Sequence, residues 1–445
     1  MPFNDFLAAL FQALEAEGVR FCVLRNYEGF PESNAGNDID FLILQHDLPR
    51  VIRAIQGIDG TRIVGFTERP YVVMVFLEGI SQGESCRALE LDFDPCLSWK
   101  GLVYLDTHSV LDAAILRQAG ALKFFVPSPV HEAIISLLSS LLIFGGVKEK
   151  YFAKVQRTFS TNRGDAIAAL APQFGLKAAT GLVDAVIGNA REVLKDCMRP
   201  LRASLVLRSL RRSPVRGTMA IARHHSREFA IRYSTKTMET VCIIGPPSSD
   251  TAATIDGLTP VLKSVASLVV KRSLGSQPTG AREQFRDKSS AGYRASTSKG
   301  FFASITKVAR LLWTEWVRQF KGNRNLTLRI CECDFRDLGV GSGRSRRGGS
   351  MPFARFAVKM LPSLDLWILL DKSAMELQSR DRELSPAEAV RQVEQLRSFV
   401  ESTGRFVIVD ASQPAEIVQE RAYEAIVNML FERTNKQLEK RFDRR

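Results

Sequence analysis

Gly36-Asn37-Asp38-Ile39-Asp40-Phe41-Leu42-Ile43 decides how the first part of this chain is read. The run Ile39 to Leu44 is apolar and β-rich, so it predicts a strand, and successive side chains of a strand alternate between faces. Asp38 and Asp40 therefore share one face at the start of the strand. Two carboxylates so close repel, and a divalent cation between them relieves the repulsion. Downstream, Leu89, Leu91 and Phe93 alternate with Glu90, Asp92 and Asp94, giving a second strand with one apolar and one acidic face. The alternative is an exposed acidic turn beside a solvated edge strand.

Working outward, Phe6, Leu7, Leu10, Phe11 and Leu14 recur at helical spacing and stop at Gly18, a residue suited to a left-handed cap. Strands are expected at 20–25, 39–44, 61–66, 71–77 and 87–93, which makes residues 1–126 a mixed α+β domain. Residues 127–237 are rich in Ala, Leu and Arg with no β alternation, and read as a helical, Arg-rich linker domain. Residues 238–445 alternate short apolar strands (241–244, 328–333, 366–370, 406–409) with helices expected at 301–320, 353–360, 385–401 and 414–432. That order implies an α/β domain built on a parallel sheet. Ser385-Pro386-Ala387-Glu388 carries the signals of a capped helix start.

The chain has 445 residues, room for about three folded units. It is 45% hydrophobic and 24% charged, which excludes a wholly disordered chain. The net charge of +13 is uneven. Met198–Lys236 contributes +9, Lys271–Gly300 +5 and Gly341–Ser350 +3, leaving −4 for the rest. The basic excess thus lies in connectors, and Lys271–Gly300 is expected to be a mobile Ser/Thr/Gly-rich insertion. Nucleic acid is accordingly not the expected partner. Seven scattered cysteines lack zinc-site spacing and read as reduced thiols. The apolar run Ala133–Gly146 is too short to span a bilayer, so a cytoplasmic protein without a transmembrane segment is expected.

Val19-Arg20-Phe21-Cys22-Val23-Leu24-Arg25-Asn26-Tyr27, followed by Gly36-Asn37-Asp38-Ile39-Asp40, resembles the nucleotidyltransferase domains of the polymerase-β superfamily. The resemblance implies that Asp38 and Asp40 are metal ligands and that Asp92 is the third carboxylate, which also helps deprotonate an attacking hydroxyl. Mg²⁺ or Mn²⁺ would be the cofactor and a nucleoside triphosphate the substrate, with two ions stabilising the attacking and leaving oxygens. Arg25-Asn26 departs from the family's Gly-Ser pair, which cradles the triphosphate. The order of segments resembles fusions found with bacterial surface-polysaccharide genes, which implies a sugar or sugar-phosphate acceptor.

Val241-Cys242-Ile243-Ile244-Gly245-Pro246-Pro247-Ser248-Ser249-Asp250-Thr251-Ala252-Ala253 has the strand-loop-helix context of a phosphate loop. With Cys333-Asp334-Phe335-Arg336-Asp337, Leu361–Asp371 and Ser379-Arg380-Asp381-Arg382-Glu383-Leu384, it resembles thymidylate kinase. The resemblance implies a P-loop kinase-like three-layer α/β fold, with nucleotide contacts from Gly245, Ser248, Ser249, Asp334, Arg380 and Arg382. The loop is degenerate: Asp250 stands at the family's last glycine, Thr251 at its lysine and Ala252-Ala253 at its hydroxyl pair. Losing one such electrostatic group costs ~10² or more in rate. The expectation is a kinase-derived scaffold that no longer transfers phosphate. A nucleotide kinase, and a non-catalytic adaptor with two degenerate nucleotide-binding domains, are the alternatives to a nucleotidyltransferase.

Two further features are weighed. His224-His225 reads as a solvated pair. Leucines 201, 205, 207 and 210 among the arginines of Met198–Arg216 suit either a helix face packed on neighbouring domains or a surface for a membrane or nucleic acid.

Overall fold

The computed structural model describes residues 1–34, 38–81, 88–146, 149–234, 238–246, 249–266, 268–274, 327–334, 364–380 and 385–443. The chain forms two compact units, Met1–Thr235 with Phe431–Arg445, and Lys236–Leu430.

The first unit opens with helix α1 (Phe3–Ala16), whose stripe Phe3, Phe6, Leu7, Leu10, Phe11 and Leu14 is buried. Gly18 ends it at φ +67°. The Val19 N–H reaches Leu14 O and the Gly18 N–H reaches Glu15 O, both at 2.9 Å, so two otherwise orphaned carbonyls are satisfied. All five expected strands are present: β1 (Phe21–Val23), β2 (Asp38–Ile43), β3 (Arg62–Glu68), β4 (Val73–Glu78) and β5 (Ala88–Asp94), in the order β1-β2-β5-β4-β3. The pair β2–β5 is parallel and the other pairings are antiparallel. One face, with Phe21, Phe41, Ile43, Leu91 and Phe93, joins α1 and α2 (Leu48–Gln56) in a single core. Phe41 and Phe93 stack across the parallel pair with centroids 5.1 Å apart.

The segment 127–237 is helical as expected, with α4 to α9 at Pro129–Leu138, Glu149–Thr161, Arg163–Phe174, Leu176–Ile187, Arg191–Arg212 and Pro214–Ser234, after the short α3 (Thr107–Asp112). It shares a core with the sheet: Cys22, Leu24, Leu42 and Leu44, on the face opposite Phe41, pack with Ile134, Leu137, Leu138, Phe152 and Leu182. The expected boundary at 126 thus lies inside one compact unit. Two hairpins complete it, β6 (Ser98–Trp99) with β7 (Leu102–Val103), and β8 (Ile115–Ala119) with β9 (Leu122–Val126). The end of the last helix, Ala415–Leu438, also belongs here: Leu438 joins the α1 core and Phe442 meets Phe66 edge-on at 5.9 Å.

The second unit is built on a five-stranded, wholly parallel sheet, β11-β12-β10-β13-β14, from β10 (Met238–Gly245), β11 (Leu268–Leu274), β12 (Thr327–Asp334), β13 (Leu366–Asp371) and β14 (Phe406–Asp410). Cys242, Ile244, Trp367 and Leu369 pack on Leu396, Phe399 and Val400 of the helix Pro386–Glu401. That helix starts with the expected reciprocal cap, Ser385 Oγ accepting from the Glu388 N–H and Glu388 accepting from the Ser385 N–H. One expectation is corrected. Lys271–Leu274, the start of the supposed insertion, belong to β11, because Leu268-Val269-Val270 begin a strand whose ladder with β12 continues through Leu274. The helices expected at 301–320 and 353–360 lie outside the described residues. Among those residues, no helix is long and apolar enough to cross a membrane.

Candidate metal centre and the phosphate-loop position

The parallel pairing of β2 with β5 sets Asp38 opposite Glu90, Asp40 opposite Asp92 and Leu42 opposite Asp94. Both acidic faces predicted from alternation fall on the same side of the sheet. Asp38, Asp40 and Asp92 each offer a carboxylate oxygen, and these oxygens lie within 4.8 Å of one another. Farther along β2 the same face turns apolar, where Leu42 and Leu44 enter the core shared with the helices.

So many acids in a partly dry setting raise one another's proton affinity. Burial, then Asp38, pushes Glu90 up to about 7, with Arg69 opposing. Burial, then Asp40, pushes Asp94 up to about 8, with Arg25 opposing. Burial, then Glu90 and Asp40, raises Asp92 well above the carboxylate range. The Asp92 Oδ1 is buried and finds no hydrogen-bond partner among the described residues. A hard cation is the chemical partner such oxygens suit.

Arg25 gives the cluster a strong counter-charge at Asp40, as Arg69 does near Glu90. Arg25 closes a two-point fork on Asp40, Nε to Oδ2 at 2.7 Å and Nη2 to Oδ1 at 2.6 Å, and Asp40 is only 3% exposed. The sequence shows Arg25-Asn26 only as the end of the expected strand 20–25 and the start of a polar turn. It gives no sign that Arg25 folds onto the second aspartate, because that contact arises from the β1–β2 pairing. Asn26, at φ +62°, accepts a hydrogen bond from the Tyr151 hydroxyl at 3.1 Å. Next to it, Tyr27 donates to the buried Glu132 at 2.8 Å, and Lys154 binds the other Glu132 oxygen at 2.5 Å. These contacts tie the segment after β1 to α4 and α5. Gly36 and Asn37 lie outside the described residues.

In the second unit, the strand-turn-helix expected around Gly245 is present, running from β10 into α10 (Thr251–Leu262). The turn is closed on itself. Ser249 donates its N–H to Pro246 O at 2.9 Å and its hydroxyl to the same oxygen at 2.8 Å, and its Oγ lies 3.0 Å from Thr251 Oγ1. A Cβ added at Gly245 would meet Ser249 Oγ at 2.1 Å, so Ser249 occupies the space over the glycine. A phosphate loop instead leaves such N–H groups pointing outward. Asp334 ends β12 in register with Gly245, and Arg380 ends the helix Ala374–Arg380. Ser248 and Arg382 lie outside the described residues.

Comparison with known proteins yields no matching family model and no matching curated protein.

Proposed function

We propose that the first unit is a divalent-cation-dependent nucleotidyltransferase that moves a nucleotidyl group from a nucleoside triphosphate to a sugar or sugar-phosphate acceptor. The observation that carries this reading is the convergence of Asp38, Asp40 and Asp92 from two adjacent parallel strands, with a buried oxygen on Asp92 that has no hydrogen-bond partner among the described residues. The donor set fits Mg²⁺ or Mn²⁺, since all three are hard carboxylate oxygens. When bound, the cation supplies charge stabilisation for an in-line displacement at a phosphorus atom.

The chain's own residues do the rest. Asp38 and Asp40 present ligand oxygens from one face of β2. Asp92, on the same side of the sheet as Asp38 and Asp40, would be kept ionised by a bound cation and is placed to accept the proton of an acceptor hydroxyl. Arg25 carries positive charge at the edge of the cluster. The second unit serves mainly as scaffold, a role supported by the closed Pro246–Ser249 turn and by Thr251 standing where a kinase needs lysine.

The test is pyrophosphate release by the full chain from each of the four common triphosphates with Mg²⁺ or Mn²⁺, in the presence of a panel of sugars and sugar phosphates that can take the nucleotidyl group. Release that disappears in the Asp38→Asn/Asp40→Asn double variant supports the reading. An unchanged rate in that variant, or no release from any triphosphate, overturns it.

A further inference from the structure

Helix α9 carries a surface that nucleotidyl transfer does not use. One side of α9 is seated in the first unit. Gly217 is buried, Ala220 and Ile221 pack on the helical core, and Arg227 pairs with Glu68. At 100° per residue, Val215, Met219, Ala222 and Phe229 fall on the opposite side, within an arc of about 80° that also holds Ser226, whose hydroxyl donates to the Ala222 carbonyl at 2.8 Å. Val215 is 68% exposed, and Met219 and Phe229 are each 64% exposed. Arg216 and Arg223, both exposed, run along one flank of this stripe.

The preceding helix, α8, sorts its leucines differently: Leu201 and Leu205 are core residues and Leu207 is exposed. The outward apolar stripe therefore belongs to α9. It sits in the most basic stretch of the chain, Met198–Lys236, with nine arginines and one lysine against Glu228 alone.

We propose that α9 docks the protein on an anionic bilayer surface, with Val215, Met219 and Phe229 entering the headgroup–acyl boundary and Arg216 and Arg223 meeting lipid phosphates. An apolar stripe edged with arginine matches that boundary, which offers hydrocarbon and negative charge side by side. A nucleic acid would satisfy the arginines but leave the stripe against phosphates. A second copy of the chain packed antiparallel on this stripe would bring the same arginine flanks together across the two-fold axis. The helix is about 30 Å long and lies along the surface of its unit, so it is placed to rest in the plane of a bilayer.

The test is co-sedimentation of the full chain with phosphatidylcholine vesicles containing 30% phosphatidylglycerol, and with pure phosphatidylcholine vesicles. Expected are binding to the anionic vesicles only, weakening steeply with salt, and a loss of at least tenfold in Met219→Ser/Phe229→Ser and in Arg216→Gln/Arg223→Gln. All four side chains are exposed; a melting temperature measured for each variant checks its fold, with Val215→Ser/Met219→Ser the substitute for the first variant and Arg216→Gln alone for the second. Equal binding to both vesicle types, or binding that the variants leave intact, overturns the proposal. So does binding to a 20-nucleotide DNA but not to vesicles, or a dimer in sedimentation velocity that Met219→Ser/Phe229→Ser abolishes.

Discussion

Arg25 engages both oxygens of Asp40, one through Nε and the other through Nη2, across the β1–β2 pairing. Burial disfavours the charged guanidinium, but the Asp40 carboxylate outweighs it and raises the Arg25 pKa above that of free arginine. The arginine thus compensates a carboxylate that is almost fully buried beside four other acids.

Arg25→Gln should therefore destabilise the metal-free protein by about 3–5 kcal/mol, the usual effect of stranding one member of a buried ion pair. Urea denaturation in EDTA at pH 8 measures it. Adding Asp40→Asn to Arg25→Gln should recover part of the loss, since the stranded charge is then gone. A loss below about 1 kcal/mol would mean that the fork is solvated in solution.

Glu90 and Asp94 set a pH dependence of unusual sign. Their folded pKa values, up to about 7 and about 8, lie above those of an unfolded carboxyl. Between about pH 4 and 8 the folded state thus holds more protons than the unfolded state, and these two groups make stability fall as pH rises. In EDTA, the melting temperature at pH 8.5 should lie several degrees below that at pH 5.5. Glu90→Gln and Asp94→Asn should each flatten the slope. Saturating Mn²⁺ should restore more stability at pH 8.5 than at pH 5.5, because the cation binds the ionised cluster. A slope unchanged in both variants would place its origin elsewhere.

The closed turn of the second unit sets what it would take to make this turn bind phosphate. If only charge and hydroxyls are missing, Asp250→Gly/Thr251→Lys/Ala252→Ser suffices to create ATP binding. Ser249 adds a steric and hydrogen-bonding block, since it fills the space over Gly245 and uses its N–H on Pro246. Calorimetry on the full chain, with Asp38→Asn/Asp40→Asn also present so that the first unit does not contribute, should show no saturable Mg·ATP binding in the triple variant. Binding should appear only when Ser249→Gly is added. Saturable binding in the triple variant alone would show that the turn opens without help.

Which parts of this were legible in sequence follows from the range of the interactions. The acidic faces of β2 and β5 were readable because a strand's period of two sorts Asp38 and Asp40, or Glu90, Asp92 and Asp94, without any partner. The register that puts Asp40 opposite Asp92 was not, since it depends on which strands become neighbours. The hairpin β8–β9 carries little signal because Ile115, Leu116, Arg117 and Gln118 are all exposed and do not alternate. β11 was obscured by Lys271-Arg272, which look like part of the basic segment that follows. The helical character of residues 127–237 was plain, but its sharing of a core with Leu24 and Leu42 is a long-range fact with no local trace.

Gly101 tests how α9 is seated. The two-residue turn between β6 and β7 places Lys100 at φ +49° and Gly101 at φ +83°, the left-handed pair that a tight hairpin favours. A Cβ on Gly101 would lie 2.5 Å from the Ala220 carbonyl oxygen of α9, a backbone atom that cannot rotate away. Gly120, at φ +60° in the other hairpin, has no atom of the described residues within 4 Å of such a Cβ. Gly120→Ala should then cost only the conformational penalty, about 1 kcal/mol. Gly101→Ala bears that penalty and the displacement of α9, and should cost about 2–4 kcal/mol. Urea midpoints of the two variants, compared in one buffer, measure the difference. Equal midpoints would show that the β6–β7 turn does not hold α9, and the helix would then have to be fixed chiefly by its contacts around Gly217, Ile221 and Arg227.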